Sequence, residues 1–369
     1  MAHIKRLAIL GSTGSIGQQT LEVVRAFPEK LKIVGLAAGS NTSLLAQQVQ
    51  EFQPKLVSCK AIPGSLSLEE LASHPEVDLV VVATSGKAGL LPTLAALQAS
   101  KVVALANKES LVMAGNIIME KACKHKAELR PIDSEHSAIW QCLQGEKKEQ
   151  ISQVILTASG GPFRNRSPEE LSRVTPEEAL KHPIWKMGRK VTIDSATLMN
   201  KGMEVIEAHW LFDLPFDKIK VVIHPTSIIH SMLKFTDGSV KAQLGAPDMR
   251  LPIQYALSYP ERWGNPSLPQ LDFEQVGSLE FEPVDLEKFP CLRLAIEAGI
   301  KGGTYPAVLS AADEIAVELF LSGRIGFLEI PKLIEKTLER HQVISSPSLE
   351  DILDADAWAR EVAKGWVSK

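Results

Sequence analysis

Four apolar residues, Leu7-Ala8-Ile9-Leu10, run directly into Gly11-Ser12-Thr13-Gly14-Ser15-Ile16-Gly17. A helical pattern follows over residues 18–27 and Pro28 stops it. A short unbroken apolar run is what a strand buried on both faces needs. Strand, glycine turn and helix in that order commit the chain to βαβ units, because parallel strands are joined by crossovers. The glycines let backbone approach a pyrophosphate, and the helix N-terminus offers N–H groups and positive dipole. The spacing is G-x-x-G-x-x-G where G-x-G-x-x-G is usual, so a turn that only packs helix on strand is the competing reading.

Further strands are expected at 32–37, 56–58, 79–83 and 102–106, alternating with helical stretches, which predicts an α/β, doubly wound parallel sheet. The second strand ends in Ala38-Gly39-Ser40-Asn41, without the Asp or Glu that binds a ribose 2′-hydroxyl. Ser40 and Asn41 can hydrogen-bond a 2′-phosphate without repelling it, which favours NADP(H). Thr84-Ser85-Gly86 and Ala106-Asn107-Lys108-Glu109 lie just past strand ends, where ligands sit in open α/β sheets. Lys108 there is equally readable as a solvated helix start.

At 369 residues the chain should hold two or three domains. A net charge of −4 and a pI near 6.2 give no basic surface for nucleic acid or an anionic membrane. A phosphorylated ligand must then be held by a local cluster. Cys59, Cys123, Cys142 and Cys291 form no C-x-x-C pair, which argues against a zinc knuckle or a disulfide framework and fits a reducing compartment. The first strand begins almost at Met1, leaving no room for a signal peptide, and no apolar run reaches membrane length. A cytoplasmic protein is expected.

Asp133 and Glu135, in Arg130-Pro131-Ile132-Asp133-Ser134-Glu135-His136, would point to one side of an extended segment. A hard divalent cation such as Mg2+ or Mn2+ would relieve their repulsion; the alternative is a solvated turn. A strand over 151–158 leads into Ser159-Gly160-Gly161, a turn able to present a hydroxyl and N–H groups to an anion. His182, Trp185 and Met187 cluster in a stretch broken by Pro183 and Gly188, either tucked into a core or forming a lid. Ser195, Asn200 and Lys201 offer the groups that bind a phosphate monoester. Glu204 shares a helical face with Lys201, as a third carboxylate ligand or as half of a surface pair. Residues 231–235 and 240–244 read as a β-hairpin around Asp237-Gly238 in an α+β domain, with a sheet face or edge available for pairing two subunits. The expected division is a nucleotide domain over 1–132, a catalytic and dimerisation domain over 133–259, a Pro-rich linker over 260–284 and a helical bundle over 285–369. Asp313 and Glu314 within that bundle are assigned no chemistry.

Residues 11–17, Leu105-Ala-Asn-Lys-Glu-Ser110, 132–137, Ala158-Ser-Gly-Gly-Pro-Phe163, Met187-Gly-Arg-Lys190 and 194–204 together resemble, in order along nearly the whole chain, the 1-deoxy-D-xylulose 5-phosphate reductoisomerase family. The resemblance implies a Rossmann domain, a catalytic domain, a C-terminal helical domain and a homodimer. It implies isomerisation of 1-deoxy-D-xylulose 5-phosphate and reduction by NADPH to 2-C-methyl-D-erythritol 4-phosphate, with Mg2+ or Mn2+, or Co2+. Asp133, Glu135 and Glu204 match the metal ligands and, with Lys108, the catalytic set. Lys108, Ser134, Glu135 and Glu204 match contacts to the sugar, while Ser159, His182, Ser195, Asn200 and Lys201 match the phosphate site. His182, Trp185 and Met187 match a flap. NADPH contacts match Thr13, Gly14, Ser15, Ile16, Gly39, Asn41, Asn107, Glu109, Gly188 and Met249, and Ser40 stands where some members carry a basic residue. Two other readings are a simple NADP-dependent dehydrogenase of the homoserine-dehydrogenase type, from Ala106-Asn107-Lys108, and a non-catalytic NADP(H)-sensing protein.

Overall fold

The computed structural model describes residues 4–185 and 187–368. The chain divides into two compact units.

The first unit comprises Met1–Leu111, Asn116–Gln141 and Asp248–Leu271. Its six strands are β1 (Lys5–Leu10), β2 (Leu31–Ala38), β3 (Leu56–Cys59), β4 (Leu79–Val82), β5 (Val102–Leu105) and β6 (Leu129–Pro131). They are all parallel, in the order β3-β2-β1-β4-β5-β6. Central β1 and β4 supply Leu7, Ile9, Leu79 and Val81 to the core, which is why they read as continuous apolar runs. Helices α1 (Ser15–Ala26), α2 (Thr42–Phe52), α3 (Leu68–Ser73), α4 (Leu90–Gln98), α5 (Lys108–His125) and α6 (Ser134–Leu143) follow the strands. Strand order reverses between β1 and β4, the position where open α/β sheets bind ligands.

Two of the three motif glycines are required by backbone contacts. Gly11 has φ +88°, and a Cβ there would lie 2.5 Å from the Ala83 carbonyl oxygen; one at Gly17 would lie 2.3 Å from the Gly11 oxygen. Gly11→Ala should therefore cost about 3 kcal/mol, combining left-handed strain with overpacking. Denaturant unfolding followed by CD checks this; a midpoint equal to that of the native sequence would contradict it.

Residues 133–141 and 248–271, placed with the central domain and linker on sequence grounds, fall in this first unit. Helix α11 (Arg250–Ser258) buries Ile253, Ala256 and Leu257 in the sheet's core, and the Trp263 ring lies 5.0 Å from that of Phe27, tilted at 53°, beneath the Lys30 ammonium. Proline-rich composition marks irregular backbone but does not reveal that its apolar side chains are buried.

The second unit comprises Val112–Gly115, Cys142–Pro247 and Asp272–Lys369. Its sheet has the order β10-β9-β7-β8, with β7 (Ile151–Ala158), β8 (Ile219–Ile223), β9 (Ile229–Phe235) and β10 (Val240–Leu244). The expected hairpin is β9 with β10, antiparallel, and β10 lies at an edge. Helices α7 (Pro168–Leu171), α8 (Pro176–Ala179), α9 (Arg189–Thr197) and α10 (Met199–Phe212) lie between β7 and β8. Then come α12 (Phe273–Val276), α13 (Pro290–Lys301), α14 (Tyr305–Leu321), α15 (Glu329–Glu339) and α16 (Leu349–Lys364). Capping boxes at Ser167, Thr175 and Ser348 set the starts of α7, α8 and α16. Helices α13–α16 do not bury a core of their own. Ile193, Met199 and Met203 of α9 and α10 share one cluster with Leu294, Val308, Leu309 and Ile334. Gly202 makes this possible, because a Cβ there would lie 2.4 Å from that of Ala295 on α13.

Candidate active site

The nucleotide end of the first unit is built at the start of α1. Gly14 and Ser15 are exposed there, and Gly14 precedes the helix with no side-chain cap of its N–H groups. Thr13 and Ile16 are half-buried, and Ile16 packs with Met249 against the sheet's core. Past β2, exposed Gly39 has open space where a Cβ would be, Ser40 is exposed, and Asn41 caps α2 by accepting the Leu44 N–H at 3.1 Å. Asn107 serves the fold more visibly than a ligand. Its Oδ1 accepts the Ser110 N–H at 3.0 Å, and its Nδ2 donates to the Thr84 and Gly86 carbonyls at 2.9 and 2.8 Å. Glu109 is buried and accepts from the same amide at 3.1 Å. Gly188 belongs to the second unit, where it precedes α9 with open space around it.

The acidic residues of the first unit sit where β6 passes into α6. Ser134 opens the helix, so the extended geometry expected for Asp133 and Glu135 is replaced by a helix start, with Asp133 just before the helix and Glu135 in its first turn. The helix dipole favours carboxylates at that end. Lys108, the first residue of α5, puts its Nζ 2.6 Å from Asp133 Oδ2, with the two side chains only 11% and 13% exposed. Ser134 Oγ donates to Glu135 Oε2 at 2.5 Å. The sequence reading passed over His136, which is fully buried one helical turn after Asp133, with a ring nitrogen within 4.8 Å of an Asp133 carboxylate oxygen. Its neighbours in the motif offered a signal, since imidazole is a common metal ligand.

The second unit gathers the phosphate-type donors. Gly160 and Gly161 have φ of +83° and +66°, and a Cβ at Gly161 would lie 2.6 Å from the Ser195 carbonyl oxygen. Two glycines thus let the turn after β7 rest directly on α9, next to Ser195. Ser159 Oγ accepts the Gly161 N–H at 3.2 Å. Leu198, at φ +60°, breaks the chain between α9 and α10 and starts the helix that carries Asn200, Lys201 and Glu204. Asn200 Nδ2 donates to Glu204 Oε1 at 2.5 Å, and the Lys201 ammonium pairs with Glu204 Oε2. Lys201 is 4% and Glu204 1% exposed, so the surface-pair reading fails: this is a buried ion pair.

His182 Nδ1 accepts two N–H groups, from Ile184 at 3.1 Å and Trp185 at 2.8 Å. A nitrogen accepting twice carries no proton, so the neutral ring holds its hydrogen on Nε2, which donates to Ser159 Oγ at 3.1 Å. Burial lowers the His182 pKa from 6.5 to about 4. A depressed basic group favours the neutral folded form, so its stabilisation is complete above 6.5 and is lost as the pH falls towards 4. Hydrogen exchange at the Ile184 and Trp185 amides, corrected for the intrinsic rate, should accelerate across that window; pH-independent protection would contradict the assignment. Trp185 is half-buried with its ring 6.1 Å from that of His230, Met187 is half-buried, and Ile184 is exposed. The described residues of the stretch are thus half-buried or exposed, so it is not tucked into the core.

Family models match nearly the whole chain. 1-Deoxy-D-xylulose 5-phosphate reductoisomerase matches residues 7–62 and 57–115, its C-terminal domain matches 129–212, and the DXP reductoisomerase C-terminal domain matches 244–362. The 1-deoxy-D-xylulose 5-phosphate reductoisomerase of Pelotomaculum thermopropionicum is 53% identical over 378 residues, covering 97% of each chain. That of Desulforamulus reducens is 54% identical over 380 residues, covering 98% of each. Among solved structures, the enzyme from Zymomonas mobilis in complex with NADPH has a TM-score of 0.90 at 41% identity and covers both chains fully. A DOX-P reductoisomerase in complex with NADPH, fosmidomycin and magnesium has a TM-score of 0.92 at 40% identity, covering 99% of this chain and 98% of that one. Motifs, fold and whole-length identity agree, and the chain belongs to the 1-deoxy-D-xylulose 5-phosphate reductoisomerase family.

Proposed function

We propose that the protein converts 1-deoxy-D-xylulose 5-phosphate to 2-C-methyl-D-erythritol 4-phosphate by isomerisation and NADPH-dependent reduction, with a divalent metal. The whole-length identity to enzymes of that name supports the reading. The observation that carries it is the buried Asn200–Lys201–Glu204 group, which puts phosphate-binding donors and a buried carboxylate on one helix.

The residues fit the cofactors. Asp133, Glu135 and Glu204 are all-oxygen donors suited to Mg2+ or Mn2+, with Co2+ also compatible. Two of these carboxylates, Asp133 and Glu204, are held in the charged form by the Lys108 and Lys201 ammonium groups, the form in which a carboxylate binds a metal ion. The exposed start of α1 and the carboxylate-free end of β2 suit NADPH. A bound divalent cation supplies Lewis-acid polarisation of a carbonyl oxygen, and NADPH supplies hydride.

The chain's own residues do the rest. Ser159, Ser195, Asn200 and Lys201 anchor the phosphate, and the binding energy gained there can be used at the reacting carbons. His182, neutral and donating through Nε2, orients the Ser159 hydroxyl. Trp185 and Met187 close over the sugar and exclude water. Lys108 offsets the Asp133 charge and reaches the sugar's oxygens, with Ser134 as a further donor. Two copies pair through the face or edge of the second unit's sheet, where β10 is an edge strand. A cytoplasmic location agrees with four unpaired cysteines.

Removing the metal tests the reading. NADPH oxidation with 1-deoxy-D-xylulose 5-phosphate should fall about a hundredfold or more in EDTA and return with Mg2+. Turnover that survives chelation would favour the simple dehydrogenase.

A further inference from the structure

Asp313 is 0% exposed in the middle of α14, flanked by buried Ala311, Ala312, Ile315 and Ala316. A lone carboxylate in that setting is costly unless paired. Its partner comes from α9: Lys190 Nζ lies 2.7 Å from Asp313 Oδ2 and 2.6 Å from Asp194 Oδ2. One ammonium thus serves two buried carboxylates, and Asp313 Oδ1 has no hydrogen-bond partner among the described residues. Uncharged residues of similar volume would pack here at lower cost, so stability alone does not account for the arrangement.

Its placement does. Lys190 lies in the first turn of α9, two residues after Gly188 and three after Met187 in sequence, while Asp194 precedes Ser195. The Ser195 carbonyl is also the surface on which the Gly160-Gly161 turn rests. Next to Asp313, Glu314 faces away: its carboxylate accepts from Arg360 at 2.6 Å, and Arg360 also holds Asp356 on α16. Adjacent acids of α14 therefore tie it to α16 on one side and to α9 on the other.

We propose that Asp313 is a positioning residue: through Lys190 and Asp194 it fixes α9, and with it Ser195 and the root of the flap, against the C-terminal helices. The inference rests on the functional reading above for the meaning of Ser195, but not for the anchor itself. The late helices are then part of the substrate site's frame.

The test uses the full-length protein with Asp313→Asn, which keeps shape and removes charge, and Lys190→Gln as a second variant. KM for 1-deoxy-D-xylulose 5-phosphate should rise about tenfold or more, with a smaller change in kcat, because a misplaced anchor loses binding common to substrate and transition state. NADPH affinity should stay at the native level. Hydrogen exchange should quicken across residues 189–195 and remain unchanged in the first unit. Lys190→Arg, which keeps the bridging charge, should restore the native KM. Unchanged exchange and KM in both variants would overturn the proposal, as would a loss of thermal stability with native KM. If the unmodified protein turns over no 1-deoxy-D-xylulose 5-phosphate, the functional reading fails, while the exchange comparison still decides the anchor.

Discussion

Glu204→Gln should lower turnover of 1-deoxy-D-xylulose 5-phosphate by roughly a thousandfold or more while leaving NADPH binding intact. Gln keeps the volume, so α10 need not move. What changes is charge: the Lys201 ammonium and the Asn200 amide, both aimed at the carboxylate, then face a neutral amide. Lewis-acid catalysis contributes several kcal/mol, and each 1.36 kcal/mol is a factor of ten in rate. Steady-state rates at saturating Mg2+, with a melting curve to show the fold persists, check this. A variant with native turnover would remove Glu204 from the chemistry.

Lys201→Met should destabilise the protein by about 3–5 kcal/mol, since it strands a buried carboxylate, and lower the melting midpoint by roughly 10 °C. It should also weaken substrate binding, because a phosphate-binding ammonium is gone. The informative comparison is with Mg2+. An ion bound at Glu204 replaces part of the lost positive charge, so added Mg2+ should raise the variant's midpoint more than the native one's. Equal shifts in the two proteins would mean that Glu204 does not meet the ion.

These predictions rest on burial, which the sequence conveyed unevenly. The strands of the first unit were readable because β4 is apolar throughout, β1 is apolar from Leu7 to Leu10, and both end in residues that turn. The spacing of Asn200, Lys201 and Glu204 was readable because a helix puts them on one face. The start of α6 was not. A seven-residue stretch containing a proline and three charged residues fits an extended segment as well as a helix start, and only the long-range packing of the first unit decides between them. The shared core of the second unit was equally hidden: Gly202 looks like a cost within a helix until Ala295 is seen against it. Asp313 leaves a trace in the sequence, since an Asp among the mostly apolar residues from Ala307 to Leu321 must be either exposed or paired. Asn107 shows the converse. Its position past a strand end suggested a ligand contact, but Asn107 with Ser110 is also a helix-capping pattern, and the structure uses it so.

In the proposed reaction Asp133, Glu135 and Glu204 serve one divalent ion beside the sugar phosphate. The most direct test is Mn2+ affinity, measured by electron paramagnetic resonance in the presence of NADPH, for the native protein, Asp133→Asn, Glu204→Gln and the double variant. Shared coordination predicts that each single change weakens binding by about tenfold or more and that the double variant loses less than the sum of the two free-energy changes. Native Mn2+ affinity in Glu204→Gln, or strictly additive losses, would contradict it.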